Sequence, residues 1–121
     1  MIGIIGAMDI EVESLIRALE DAQDIVISDI KYTKGILNGK ECVIAKSNPG
    51  KVNAAICAQT MILKFSPDYV INTGVAGAIA NSLNVCDIVV ADKVVQHDFD
   101  TSPLGDPKGM ISGINLIEIP C

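Results

Sequence analysis

Hydrophobic positions at the start of the chain follow two patterns in succession. The β-branched apolar run at residues 2–5 is typical of a buried strand. After Gly6 the apolar residues change to helical spacing, with polar residues between them. They are Val12, Leu15, Ile16 and Leu19. This change predicts a strand that turns directly into an amphipathic helix, with Asp9 as the residue that caps it.

The middle of the chain contains further short strand patterns and one more helix. Residues 21–24 form a polar break, and residues 25–46 then predict an antiparallel meander. Its strands are residues 25–27, 29–37 and 41–45, with the hairpin signal Asn38-Gly39 before the last of them. Residues 51–64 predict a helix rich in small apolar side chains, and residues 69–73 predict a buried strand.

The last third of the chain is less regular. Residues 88–91 and 94–95 are interpreted as strands, residues 99–113 as a loop, and residues 114–119 as a final apolar run. Strands that alternate with helices predict an α/β fold with a mixed sheet. Residues 1–121 are expected to form part of a single domain.

The pattern also predicts that the sheet is incomplete at its C-terminal end. No helix is predicted after residue 64, so one face of the sheet would have little cover. We expect either another chain or further sequence of the same fold to supply that cover, because exposed apolar surface favours association.

Composition excludes several classes of function. The chain has 121 residues, half of them hydrophobic, and a net charge of −6 with Arg17 as its single arginine, which argues against a nucleic-acid partner. No apolar run is long enough to span a bilayer, and the chain begins with a strand rather than a leader, so a cytoplasmic location without membrane contact is expected. Four scattered cysteines and one histidine, His97, give no recognisable metal frame.

Glu11 is the first candidate for chemistry. It falls in the first turn of the first helix, just beyond the carboxyl end of a strand, which is the edge where open α/β sheets bind ligands. A carboxylate there is suited to acid–base catalysis. The alternative is that Glu11 only complements the helix dipole.

Two turns containing glycine are further candidates. Residues 74–78 follow a buried strand and could let a ligand approach the backbone closely, although such a turn can also serve packing alone. Their spacing does not match a dinucleotide fingerprint, and no phosphate-binding G-K-[ST] motif occurs, so neither a nicotinamide cofactor nor a P-loop is expected. Residues 47–51 precede a helix and could bind an anion. In an enzyme that cleaves nucleosides, such a turn would suggest phosphate as the attacking nucleophile. Phosphate recognition usually recruits arginine, however, and none is available here, so water would be the expected nucleophile.

Three motifs in this order resemble a known family. G-I-I-G-A-M-D-I-E-V-E, K-S-N-P-G-K-V-N-A-A and I-N-T-G-V-A-G-A, followed by D-I-V-V-A-D and H-D, are similar to 5′-methylthioadenosine/S-adenosylhomocysteine nucleosidase. That family belongs to the purine nucleoside phosphorylase/uridine phosphorylase superfamily. The match runs from residue 1 to about residue 105 and covers about the N-terminal half of a family member.

The resemblance implies a nucleoside phosphorylase-like fold with three layers, α/β/α, around a mixed, twisted central sheet. It also implies a homodimer and hydrolysis of the N-glycosidic bond of 5′-methylthioadenosine and S-adenosylhomocysteine, with release of adenine and without metal or cofactor. Glu11 matches the glutamate that acts as general base on the attacking water. Seven other residues are implied to contact substrate or to close a pocket. Met8 and Pro49 would lie beside the 5′-substituent and ribose, Val75, Ala76 and Gly77 beside the base and ribose, and Thr101 and Leu104 would reach across the dimer to the partner's 5′-alkylthio pocket.

The chain also departs from the family pattern. Val75 stands where serine is common, Asn48-Pro49 replaces glycine and an aliphatic residue, and the loop after Thr101 lacks the expected aromatics. The family's Met-Glu pair that holds the ribose hydroxyls, and the aspartate that protonates adenine N7, have no counterpart in residues 1–121.

We therefore expect this chain either to be inactive alone or to act with a second polypeptide that carries the missing residues. One alternative is a non-catalytic module that binds purine nucleosides or serves dimerisation. A phosphorylase of the same superfamily is the other, and the lack of arginine near the glycine turns argues against it.

Overall fold

The computed structural model describes residues 1–121, which form two compact units, Met1–Gly77 and Ala78–Cys121. The first unit contains five strands and two helices. They are β1 (Ile2–Gly6), α1 (Asp9–Arg17), β2 (Glu20–Ile27), β3 (Ile30–Leu37), β4 (Lys40–Lys46), α2 (Lys51–Phe65) and β5 (Tyr69–Asn72). The second unit contains β6 (Lys93–Val95), a single 3₁₀ turn (Ser102–Leu104) and β7 (Glu118–Pro120).

The sheet of the first unit is mixed, as predicted. Its strand order is β2-β3-β4-β1-β5, with β1 parallel to both β4 and β5. Strands β2, β3 and β4 form the predicted antiparallel meander. The β3–β4 turn has φ of +49° at Asn38 and +74° at Gly39, and Leu37 pairs with Lys40, which is the geometry of a two-residue hairpin.

The start of the meander differs from the prediction. Residues 21–24 are not a break, because β2 already begins at Glu20. Polar side chains are compatible with an exposed edge strand, which needs only its backbone to pair with β3. Ser28 and Asp29 form a second two-residue turn with φ of +49° and +62°, so Asp29 lies in a turn and not in a strand.

The two helices cover opposite faces of the sheet and give the predicted three layers. Ile4 and Ile44 pack with Val12 of α1, whereas Ile5 and Val43 belong to a second cluster, which contains Cys57 and Met61 of α2. Neighbouring residues of β1 and of β4 thus face opposite layers, as the two-residue period of a strand requires. The predicted α/β class is confirmed.

Gly35 allows β2 and β3 to approach closely where the register of β2 shifts between Glu20 and Gln23. A methyl group at position 35 would lie 2.7 Å from the carbonyl oxygen of Glu20 and 3.1 Å from Cβ of Leu19. The Glu20 carbonyl belongs to the backbone and cannot move aside as the end of a flexible side chain could. We expect Gly35→Ala to lower the free energy of unfolding by about 1–3 kcal/mol, measured by urea denaturation. An unchanged denaturation midpoint would contradict this account of the close approach of β2 and β3.

The second unit is built around a small antiparallel ladder. Val94 pairs with Ile119, so residues 94–95 form a strand as predicted, within β6. The final apolar run ends in β7, and residues 99–113 form a loop that contains the 3₁₀ turn. The strand prediction for residues 88–91 is wrong, because no segment forms a ladder with them. No helix of the structure has the length and apolar character needed to cross a membrane.

Candidate active site

The site lies where three parallel strands end. Strand β1 is central, and its C-terminal end is hydrogen-bonded to the segments that follow both neighbours: the Ser47 amide donates to the Gly6 carbonyl (2.9 Å), and the Thr73 amide to the Ile5 carbonyl (2.9 Å). The chain leaves β1 towards α1 on one face and leaves β4 towards α2 on the other face. Such a divergence of neighbouring strands opens a crevice at the carboxyl edge of the sheet.

Glu11 is fixed at this edge by three backbone amides. Its Oε2 accepts hydrogen bonds from the amides of Ala7 (2.7 Å) and Met8 (2.9 Å), and its Oε1 accepts one from the amide of Val75 (3.1 Å). The first two amides lie at the start of its own helix, and the third belongs to the turn after β5. The carboxylate therefore joins the turn after β1 to the turn after β5, a contact that goes beyond complementing a helix dipole.

These amides also set the charge state of Glu11. The Met8 amide, followed by those of Val75 and Ala7, holds the pKa of the carboxyl below its ordinary value, and partial burial opposes this effect. Glu11 is therefore ionised at neutral pH. A second lone pair of Oε1 can still accept a proton or a hydrogen bond from a molecule in the crevice.

The predicted cap of α1 is wrong. Met8 is the N-cap residue, and Asp9 is the first residue of the helix. The Glu11 carboxylate already binds the Met8 amide, which fixes the helix start from the third helical position. The Asp9 carboxylate instead forms an ion pair with the ammonium of Lys46 (2.8 Å), the last residue of β4.

The turn after β5 contains the other residues predicted to contact substrate. The backbone amide of Val75 donates a hydrogen bond to Glu11, whereas the Val75 side chain is 79% exposed. Ala76 is exposed as well, and no heavy atom lies within 4 Å of a methyl group placed on Gly77. The turn thus presents an open surface of small side chains beside the carboxylate.

Pro49 lies in the segment between β4 and α2, which is held at the same edge through Ser47. Its carbonyl accepts a hydrogen bond from the side-chain amide of Asn53 (2.8 Å). Asn48 has φ of +66°, a left-handed conformation that glycine and asparagine tolerate best. The backbone of the turn at position 48 is therefore one that glycine would also adopt.

Thr101 and Leu104 belong to the second unit. The Thr101 hydroxyl donates to Oδ2 of Asp106 (2.8 Å), and Leu104 lies exposed in the 3₁₀ turn. Asp106 also accepts a hydrogen bond from the hydroxyl of Ser112 (3.1 Å), so this carboxylate organises the loop. The prediction that the loop reaches a partner's pocket stays a prediction.

Two features of the site were missed by sequence reasoning. The Asp9–Lys46 ion pair depends on the pairing of Gly6 with Lys46 in the β1–β4 register, and only knowledge of that register could have predicted it. The second is the close contact of Gly74 with the Glu11 carboxylate. No group of three or more histidine, cysteine, aspartate or glutamate side chains is arranged to bind a metal ion.

Comparison with known proteins shows the family to which the chain belongs. Residues 1–119 match the family described as the phosphorylase superfamily. The chain is 48% identical over 111 residues to a 5′-methylthioadenosine/S-adenosylhomocysteine nucleosidase of Staphylococcus aureus, a match that covers 92% of this chain and 49% of that protein. The chain therefore spans about half the length of the curated relatives it matches.

Solved structures of nucleosidases match this chain as well. A nucleosidase with the same two substrates in its name, from Colwellia psychrerythraea in complex with adenine, superimposes with a TM-score of 0.93 at 39% identity, over 98% of this chain and 49% of that one. The enzyme from Neisseria meningitidis in complex with methylthio-immucillin-A also gives a TM-score of 0.93, at 34% identity, over 98% of this chain and 51% of that one. The resemblance predicted from the three motifs is confirmed, and the chain belongs to the phosphorylase superfamily.

Proposed function

We propose that this chain supplies the water-activating part of a nucleosidase that hydrolyses the N-glycosidic bond of 5′-methylthioadenosine and S-adenosylhomocysteine. The observation that carries the proposal is the Glu11 carboxylate, held ionised at the carboxyl edge of the sheet by amides from two turns. The relatives that match this chain are named for those two substrates. One of the matching structures contains adenine, the expected product.

In the proposed reaction, a water molecule attacks C1′ of the ribose and transfers a proton to Glu11. The bond between C1′ and the base breaks, its electron pair leaves with adenine, and adenine takes up a proton. Met8 and Pro49 would contact the 5′-substituent and ribose, and Val75, Ala76 and Gly77 would contact the ribose and base. We assign protonation of adenine to a residue outside these 121, because no motif in this chain matches the family's acid.

The second part of the proposal concerns the association of this chain with a partner chain. We propose that these residues form the N-terminal part of one nucleosidase domain, which acts as a homodimer or with a chain that supplies the other half. The free edge of the sheet supports this, because β5 is the last strand and exposes apolar side chains on both faces. They are Tyr69, Val70 and Ile71. Thr101 and Leu104 would then close the partner's 5′-alkylthio pocket.

A cytoplasmic location is also proposed. All four cysteines are free, and two of them, Cys42 and Cys57, are buried in the sheet and helix layers. Burial raises the pKa of the Cys57 thiol and keeps it unreactive. Unpaired cysteines are typical of proteins in a reducing compartment.

Product analysis tests the reaction. The purified protein, with any polypeptide that copurifies with it, is incubated with methylthioadenosine in the presence and absence of phosphate. We expect adenine and free 5-methylthioribose at a rate independent of phosphate. Release that requires phosphate and yields the sugar 1-phosphate would identify a phosphorylase instead. Binding of the nucleoside by equilibrium dialysis without any turnover would favour the non-catalytic module.

A further inference from the structure

The turn after β5 meets the Glu11 carboxylate at Gly74. A methyl group built on Gly74 would lie 2.6 Å from Oε1, 3.0 Å from Cδ and 3.4 Å from Oε2 of Glu11. The first two separations are far shorter than the contact distance of about 3.5–4.0 Å between non-bonded heavy atoms. The carboxylate therefore occupies the space that any side chain at position 74 would need.

The conformation of Gly74 does not itself demand glycine. Its φ is not positive, unlike that of Gly39 or Gly50, so the backbone at position 74 would accept alanine. The requirement for glycine comes from the space taken by the carboxylate. Gly77, three residues later, has neither a positive φ nor any heavy atom within 4 Å of an added methyl group.

We propose that Gly74 is a positioning residue for Glu11. The absence of a side chain at position 74 lets the carboxylate lie against the turn and accept a hydrogen bond from the Val75 amide. The inference rests on the proposed function, in which Glu11 activates water. A methyl group there would displace Oε1 from the Val75 amide and leave the two amides at the start of α1 as its partners. The position and the charge state of the base would both change.

Few other charges act on Glu11. On α1, Asp9 is paired with Lys46 of β4, and Glu13 is paired with Arg17. Strand β1 has no ionisable side chain, and β5 has only Tyr69, at the end remote from the turn. These groups are the same in the wild-type chain and in a Gly74 variant, so a difference in titration reports the contact between Gly74 and the carboxylate.

Carbon-13 NMR titration of the glutamate carboxyl groups tests the proposal without substrate. The chain has five glutamates, and the Glu11 resonance is identified by its loss in Glu11→Gln. We expect Gly74→Ala to raise the pKa of Glu11 towards its ordinary value, because the Val75 amide is lost, and Gly77→Ala to leave it unchanged. An identical Glu11 midpoint in Gly74→Ala and the wild-type chain would overturn the proposal.

A double-mutant cycle covers the case in which Gly74→Ala alone does not fold. If the carboxylate is the obstacle, alanine at position 74 should be tolerated once Glu11 is replaced by alanine, so the double variant should fold about as well as Glu11→Ala. Equal destabilisation by Gly74→Ala in both backgrounds would overturn the proposal.

Activity gives a separate result. In the active nucleosidase, Gly74→Ala should lower kcat by up to about a hundredfold, should move the acid limb of the pH profile to higher pH, and should change KM little. If the Glu11 pKa shifts but wild-type protein releases no adenine, the positioning contact stands and the proposed function fails. If the Glu11 pKa in Gly74→Ala equals that of the wild-type chain and the wild-type protein is fully active, the proposed function stands and the positioning role of Gly74 fails.

Discussion

Replacing Glu11 by glutamine is expected to lower adenine release from methylthioadenosine by about 10²- to 10⁴-fold, the contribution typical of a general base. Glutamine has nearly the same shape but cannot take a proton from water. Its amide nitrogen would also face one of the backbone N–H donors that now bind the carboxylate. Release of adenine in the nucleosidase assay, followed by chromatography, measures the effect.

Glu13→Gln provides the matched control. Glu13 lies on the same helix, two residues further on, and its carboxylate forms an exposed ion pair with Arg17. Exposed pairs of this kind contribute at most about 1 kcal/mol to stability, so this variant should keep wild-type activity. If Glu11→Gln, shown by circular dichroism to be folded, released adenine at the wild-type rate, Glu11 could not be the base.

Truncating Ile44 to alanine is expected to lower the free energy of unfolding by about 2–5 kcal/mol. Ile44 is 0% exposed and lies on β4 within the cluster that holds α1 against the sheet. The truncation removes buried apolar surface and leaves a cavity among side chains that cannot fully close it. Since α1 carries Glu11, the candidate site should lose order together with this layer.

Urea denaturation followed by circular dichroism measures this effect, and Ile44→Val is the graded control. Removing one methylene instead of three carbon atoms should lower the free energy of unfolding by about 0.5–1.5 kcal/mol. A value for Ile44→Ala within about 0.5 kcal/mol of wild type would mean that the α1 layer contributes little to the stability of the first unit.

The local sequence pattern was sufficient to predict most strands and helices of the first unit. The change from a strand period to a helical period after Gly6 correctly predicts β1 and α1, and Asn38-Gly39 correctly predicts the β3–β4 hairpin. The pattern failed where pairing partners decide the structure. Polar residues 21–24 join β2 because β3 lies beside them, and apolar residues 88–91 form no strand because no segment pairs with them.

The candidate site shows the same division. The position of Glu11 at the sheet edge follows from the strand–turn–helix pattern alone. The general rule that open α/β sheets bind ligands at the carboxyl ends of their strands then makes Glu11 a candidate site residue. Its contacts with Gly74 and Val75 could not be predicted, because they depend on the parallel register of β1 with β5. The cap at Asp9 was predicted wrongly, since a carboxylate at the third helical position can replace it.

The hydrogen bond from the Val75 amide to Glu11 joins residues 64 positions apart. On the ribosome, Glu11 leaves the exit tunnel long before Val75 is synthesised, and until then its carboxylate can bind only the two amides at the start of its own helix. The three-amide environment of Glu11 is therefore completed only when the fifth strand aligns with the first. A nascent chain arrested before that point would carry the candidate base without its hydrogen bond to the Val75 amide.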